Sequence, residues 1–292
     1  MKKVLSFDIG GTKIAHAIID GQGNFITKAQ KTTTPDTAAG IRDFFRSVIQ
    51  ENYTNIDGVA FSTAGAVNLQ GTKITSFTGN LPQGYNQTDF AALTDKPVLV
   101  ENDANSAAWA EYTLGAAKGC SHAIVLAIGT GIGSGIIVDG RLLKGKSGGA
   151  GEMHFPIASG HKRKCKGCGM YDCFESFASG TGLATSAKAQ MGEDATTYSV
   201  IEKRAQGDPT AIKIFNEWQE YLIKGMIMLG NVFDPEVIAL SGSMSQFVEY
   251  PTVEAEVNKA ILTQPLKIKQ AKFENNAGML GAAMLLEEKL GA

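Results

Sequence analysis

One arrangement occurs twice in this chain and restricts its fold more than any other feature. An apolar run from Lys3 to Phe7 ends in Asp8-Ile9-Gly10-Gly11-Thr12-Lys13, and a second run, Ile14 to Ile19, closes at Asp20-Gly21. The layout returns as Ala123 to Ile128, then Gly129-Thr130-Gly131-Ile132-Gly133-Ser134-Gly135, then Ile136 to Val138 closed by Asp139-Gly140. Each copy reads as strand, small-residue turn, strand. Two such hairpins, one opening each half of the chain, predict two related α/β domains facing one another across a cleft. A chance likeness between glycine-rich hairpins is the competing reading.

Between the copies, Ile41, Phe44, Phe45, Val48 and Ile49 recur at helical spacing, which predicts an amphipathic helix over 37–51. Val59 to Phe61 reads as a strand running into Ser62-Thr63-Ala64-Gly65, and Thr78-Gly79-Asn80-Leu81-Pro82 as a loop able to enter the cleft. In the second half, helices are expected over 175–191 and, as one long element, over 209–233. Asp234-Pro235 stops the latter, because proline disfavours helical geometry in the residue before it and has no N–H to donate. Val237 to Leu240 is again a strand, ending in Ser241-Gly242-Ser243, and 277–290 is a final helix whose glycines and alanines permit close packing.

The reactive groups gather in Val98 to Glu111, VLVENDANSAAWAE. An apolar strand there ends in Glu101, Asn102 and Asp103, and the chain turns directly into an alanine-rich helix. Polar groups where a strand gives way to a helix sit at the open edge of an α/β sheet, where such folds place their sites. Asp103 is the candidate general base, with Asn102 beside it to hold a substrate. The bland reading is that Asp103 or Asn105 caps the helix, and the neighbouring stretches favour the first. Small-residue turns at strand ends present several backbone N–H groups, which suits phosphate oxygens. Asp8 beside such a turn can hold Mg2+, directly or through water, and Thr12, Lys13 and Thr130 add side-chain donors. Two facing turns, one carboxylate for metal and one for a base describe a nucleotide-dependent phosphotransferase. Gly140-Arg141-Leu142-Leu143-Lys144-Gly145-Lys146-Ser147 matches the Walker A spacing, but its interior is bulky and Gly148-Gly149-Ala150-Gly151 starts no helix. It reads as a β-turn and loop.

His154 precedes Cys165, Cys168 and Cys173, with His161 nearby. Three thiolates and one imidazole satisfy tetrahedral Zn2+, and the CxxC spacing lets two thiolates reach one ion from a tight turn. Such an ion, fully ligated by protein, would be structural and would pin the loop carrying Glu152, His154 and Glu175; the fourth ligand is His154 or His161, and we prefer His154. Unligated cysteine suits Cys120 better. The net charge of −2 gives no reason to expect nucleic acid or an anionic membrane. Met1-Lys2-Lys3 resembles the start of a signal peptide, but Asp8 and two glycines interrupt the apolar run, and Ala123 to Val138 is short and glycine-broken for a membrane span. A cytoplasmic protein is expected.

Taken together, DIGGTK at 8–13, ENDAN at 101–105, IGTGIGSG at 128–135, GAGE at 149–152 with His154, the cysteines running into Glu175, and NNAGMLGAA at 275–283 resemble the ROK family of sugar kinases and repressors. The resemblance implies the hexokinase and actin-like fold: two ribonuclease-H-like domains around a central cleft holding ATP, usually in a homodimer. Residues 1–114 with the returning helix 277–292 would form the sugar and phosphate domain, and 115–276 the nucleotide and zinc-knuckle domain. It implies Asp103 as the base that takes the proton from a sugar 6-hydroxyl. Asn102, Glu152, His154 and Glu175 would hold ring hydroxyls, joined by Gly65 and Asn80. Gly10, Gly11, Thr12, Gly131, Gly133 and Gly242 would lie along the nucleotide. The implied substrate is a hexose or N-acylhexosamine, with N-acetylmannosamine first, glucose second, and N-acetylglucosamine and fructose open; a non-catalytic sugar sensor is the alternative from another class.

Three departures stand out. The family usually has a glycine between Glu152-Met153 and the histidine, so this loop is one residue short. Cys165 is displaced by one position and Asp172 replaces a glycine. Ser241 and Ser243 stand where glycines are common. The family's repressors carry a DNA-binding segment ahead of the first turn, and this chain begins at that turn, so that branch is disfavoured.

Overall fold

The computed structural model describes residues 2–76 and 81–291, so the expected contribution of Asn80 lies outside the described residues. The chain divides into two compact units: residues 1–119, 135–151 and 273–292 form the first, and 120–134 with 152–272 the second. Each is mixed α/β, as the alternating strand and helix signals require, and there are two five-stranded sheets.

In the first unit the strand order is β3-β2-β1-β4-β5, with β1 (Lys3–Ile9), β2 (Lys13–Asp20), β3 (Gln30–Thr33), β4 (Gly58–Thr63) and β5 (Val98–Asn102). The hairpin β1–β2 and its neighbour β3 are antiparallel, whereas β4 and β5 run parallel to β1. Side-chain alternation sorts the residues between two faces. Leu5, Phe7, Ile9, Val59 and Phe61 pack with Ile41, Phe45, Val48 and Ile49 of α1 (Ala38–Asn52), in the register the helical spacing predicts. Val4, Ala15, Ala17 and Ala60 fall on the opposite face with Ala110 of α2 (Asp103–Leu114) and Met279, Leu280 and Ala283 of the C-terminal helix, α8 (Ala277–Gly291). The small residues on that face let two helices lie close to the sheet.

The second sheet has the order β10-β9-β6-β7-β8. Its strands are β6 (Ala123–Ile128), β7 (Ile132–Val138), β8 (Arg141–Leu142), β9 (Val237–Ser241) and β10 (Lys267–Gln270), and the division between units falls inside β7, after Ser134. The second glycine turn is therefore shorter than the glycine run suggests: Gly133 and Gly135 are strand residues and only 129–131 turn. The second unit also holds α3 (Phe174–Ala178), α4 (Gly180–Met191), α5 (Thr197–Ala205), α6 (Pro209–Phe233) and α7 (Tyr250–Ala260). α6 begins on the Asp208 cap with Pro209 in its first turn and stops at Asp234, whose φ of 46° ends helical geometry before Pro235.

One expectation is corrected. The helix read over 175–191 is broken into α3 and α4 at Ser179, an extended residue whose side chain accepts from Gly182 N at 3.0 Å. Helical periodicity continues across the break, but Gly180 N and Thr181 N donate to Gly129 O (2.8 Å) and Thr130 O (3.4 Å) rather than continuing one helix. The strands β3 and β10 and the helices α5 and α7 bury no more than two apolar residues each and lie outside the segments that the sequence marks. Among the described residues no helix is long and apolar enough to cross a membrane.

Candidate active site and metal centre

The first group of expected site residues assembles where β5 passes into α2. Asn102, not Asp103 or Asn105, caps the helix: its Oδ1 accepts from Ala104 N (3.0 Å) and Asn105 N (3.1 Å). Its Nδ2 donates to Gly65 O at 3.1 Å, so two residues expected at the sugar are joined by one side chain. Gly65 lies at φ 96°, a conformation that favours glycine at the end of β4. Asp103, relieved of the capping role, is exposed in the first helical turn, with Oδ1 accepting from Ala104 N at 2.8 Å.

Asp8, near the end of β1, lies in the same unit. Ser62 of the neighbouring β4 donates to its Oδ1 at 2.9 Å, a partner set by the parallel register that places Asp8 opposite Ser62. A Cβ on Gly278, at the start of α8, would stand 2.5 Å from Asp8 Oδ1 and 2.7 Å from Ser62 Oγ, so only glycine lets that helix end come so near the carboxylate. Burial of the Asp8 carboxyl pushes its pKa up to about 6; the Ser62 hydrogen bond and Lys31 oppose this, and the charge of Asp103 adds to it. The carboxylate of Asp8 offers oxygen ligands of the kind a hard cation takes. The turn 10–12 is closed by Gly10 N donating to Lys13 O (3.0 Å) and pinned by Thr34, whose N–H donates to Thr12 O (3.0 Å) and hydroxyl to Gly10 O (2.7 Å). Gly10, Gly11, Thr12 and Lys13 are exposed there.

In the second unit the turn 129–131 is held on two sides. Gly180 N, at the start of α4, donates to Gly129 O, and Met244 N donates to Ile128 O at 3.0 Å. Gly242, at φ 83°, lies against the same strand end. Glu175 of α3 accepts from Ile132 N through Oε2 at 3.0 Å, and a Cβ on Gly131 would meet that oxygen at 2.5 Å. Its other oxygen is 3.3 Å from the Cys165 thiol. Glu175 therefore links the glycine turn to the cysteine loop. Thr130 is exposed, and Gly133 lies in β7 rather than in the turn.

His154, Cys165, Cys168 and Cys173 place one ligand atom each within 4.8 Å of one another. A tetrahedral ion with Zn–S bonds of about 2.3 Å needs ligand atoms roughly 4 Å apart, so the cluster is near the required size. His154 Nδ1 is buried without a hydrogen-bond partner, as a nitrogen reserved for a metal would be, and Nε2 is 3.7 Å from Glu152 Oε2. Burial, with Cys173 and Cys168 beside it, pushes the Cys165 thiol up to about 12, although backbone N–H groups of Cys168 and Gly167 oppose the rise. A bound cation would reverse that preference. His161 stays outside: its ring packs edge-on against Phe177 with centroids 5.3 Å apart. The residues present fit Zn2+, and the histidine that joins the thiols is the one the sequence favours.

Asp172, which interrupts the usual cysteine pattern, has its own role. It sits at φ 56°, the left-handed conformation a glycine would also adopt, and its buried carboxylate accepts from the backbone N–H of His161 and Lys162 (3.2 Å each) and Arg163 (2.8 Å). Neither this nor the Ser62 contact was found from the sequence. For Ser62 a partial signal exists in the strand Val59 to Phe61 that runs into it, but the neighbour of that strand is set by the fold.

A profile described as the ROK family matches residues 4–289. The chain is 31% identical to a glucokinase of Streptomyces coelicolor, covering 99% of this chain and 98% of that one. It is 30% identical to an N-acetylmannosamine kinase of Escherichia coli, over 98% and 99% of the two chains. Among solved structures, a ROK hexokinase from Thermus thermophilus superposes with a TM-score of 0.83 at 28% identity, covering 99% of both chains. A ROK family transcriptional regulator, a homologue of the Escherichia coli MLC protein, shares the fold at a TM-score of 0.85 and 23% identity, over 99% of this chain and 78% of that one.

Proposed function

This chain belongs to the ROK family, and on that premise we propose that it is an ATP- and Mg2+-dependent kinase acting on the 6-hydroxyl of a hexose or N-acylhexosamine. The observation that carries the reading is Asp103: an exposed carboxylate at the mouth of a sheet, freed from capping by Asn102 and placed in the field of Asp8. Asp103 accepts the hydroxyl proton as the sugar oxygen forms its bond to the γ-phosphorus of ATP and the bond from that phosphorus to the β,γ-bridging oxygen breaks, releasing ADP. Asn102 and Gly65 orient the sugar, with Glu152, His154 and Glu175 as further partners and Asn80 as an expected one. Asp8 is the residue to hold Mg2+, whose charge, when bound with ATP, offsets that of the phosphates. The turns bearing Gly10 to Lys13 and Thr130 to Gly131, with Gly242, supply donors for the nucleotide. The first unit is assigned chiefly to sugar and phosphate, the second to nucleotide and a structural Zn2+ on His154, Cys165, Cys168 and Cys173. A homodimer is the proposed assembly and the cytoplasm the proposed location.

N-acetylmannosamine is our first choice of substrate, on the short histidine-to-cysteine loop and the AAWAE helix start, and glucose the second; relatives named for each are of nearly equal identity and do not rank the two. Epimers are told apart by one or two hydrogen bonds, so a panel must decide. ADP release with Mg2+ and ATP is measured over N-acetylmannosamine, glucose, N-acetylglucosamine, N-acetylgalactosamine and fructose. Turnover of at least one sugar is expected, and Asp103→Asn should lower kcat by roughly 100-fold or more while sugar binding persists. The second reading, a sugar sensor without turnover, draws on the fold shared with a regulator; it needs no base, and sugar binding without ADP release from any member of the panel would establish it.

A further inference from the structure

The loop that mimics Walker A spacing has a different use. Its Lys144, not Lys146, reaches the buried Glu101, the residue that begins the polar run at the end of β5. The Glu101 side chain is 2% exposed and that of Lys144 22%. Glu101 Oε2 meets the Lys144 ammonium as an ion pair and has no hydrogen-bond partner among the described residues. Oε1 accepts from the backbone N–H of Asn102 (3.0 Å) and from Asn105 Nδ2 (3.1 Å). One carboxylate therefore grips the residue before Asp103 and a residue of the first helical turn after it. Lys289 of α8 lies in the same field and donates to Gln70 O at 3.3 Å.

A buried ion pair contributes little net stability, because desolvating two charges offsets their attraction. What this pair can do is orient. With Lys144 in place, Glu101 stays inside, and its second oxygen holds the peptide that presents Asn102 and Asp103. Without it, a buried carboxylate is left with no cation beside it, and as that carboxylate turns towards water Asn102 N loses its acceptor.

We propose that Lys144 and Glu101 are positioning residues, and that their ion pair sets the angle at which the turn 102–105 presents Asp103. The inference rests on the phosphotransfer reading for its kinetic consequence but not for its structural one. Three variants test it: Lys144→Met, Lys144→Arg and the double variant Glu101→Gln/Lys144→Met. Lys144→Met should lower kcat roughly 10- to 100-fold, the cost of a small misplacement of a reacting group. Its KM values for sugar and ATP should stay within about threefold of the parent, and Lys144→Arg should recover most of kcat. Hydrogen exchange at 102–106 should accelerate in Lys144→Met and not in Lys144→Arg. The double variant, which buries no lone charge, should recover the parent melting temperature without recovering kcat, and it replaces Lys144→Met if that single variant does not fold.

Parent-like kcat and exchange in Lys144→Met would overturn the proposal, as would recovery of kcat in the double variant. If the parent protein turned over no sugar, the phosphotransfer reading would fall while exchange at 102–106 still decided the anchoring.

Discussion

Asp8 shows how a single residue can oppose stability in the service of a site. Its pKa stands at about 6 in the fold against an ordinary 3.8. The unfolded chain therefore releases this proton first, and as pH rises from about 4 to about 6 the folded state loses stability it held in acid. The loss is on the order of 1–3 kcal/mol and persists at neutral pH. Asp8→Asn should accordingly raise the melting temperature at neutral pH in metal-free buffer, with the gain vanishing near pH 4, while turnover is lost. Thermal melts across that pH range check this; an Asp8→Asn variant less stable than the parent at neutral pH would refute the assigned cost. Asp172 is a different case, a substitution that keeps the left-handed geometry and adds three N–H partners. Asp172→Gly keeps the backbone and loses those bonds. It should destabilise by about 1–3 kcal/mol, read as a lower denaturant midpoint.

At the scale of elements, the informative features are where helices begin. α2 starts on Asn102 because a strand delivers it there with its side chain free to cap, and that start leaves the next residue exposed. α4 starts on Ser179 because the chain stops one helix and begins another, which places Gly180 N on the carbonyl of Gly129. Ser179→Ala removes the oxygen that Gly182 N donates to and should cost about 1 kcal/mol. Because the cap holds the residues that brace the turn 129–131, KM for ATP should rise more than KM for sugar. A denaturant midpoint and a pair of Michaelis curves test both statements; equal changes in the two KM values would separate this helix start from the nucleotide turn. The break was hidden in the sequence because the apolar residues on its two sides continue one helical stripe, whereas the strand-to-helix switch at 102–103 was visible as an apolar run ending abruptly in polar residues.

At the scale of the whole molecule, the cluster of His154, Cys165, Cys168 and Cys173 lies outside the named strands of the second sheet. Zn2+ bound by His154, Cys165, Cys168 and Cys173 would cross-link 154 to 173 and stiffen the loop between them. Protein prepared without chelator should carry about one zinc per chain. Stripping it should lower the melting temperature and speed hydrogen exchange over 152–176, with 3–20 unchanged. A metal-free, equally stable knuckle would contradict this. Local sequence encodes the two hairpins, the helix stripes of α1 and α6, the strand ending at Asn102, and a cysteine spacing that suits a shared ion. Those signals are legible because backbone geometry and side-chain periodicity act over a few neighbouring residues. Long-range packing set which carboxylate Ser62 faces, that Glu175 reaches the amide of Ile132, and that Lys144 meets Glu101. Those partners lie far apart along the chain, and they meet because strand register and helix packing bring their backbones together.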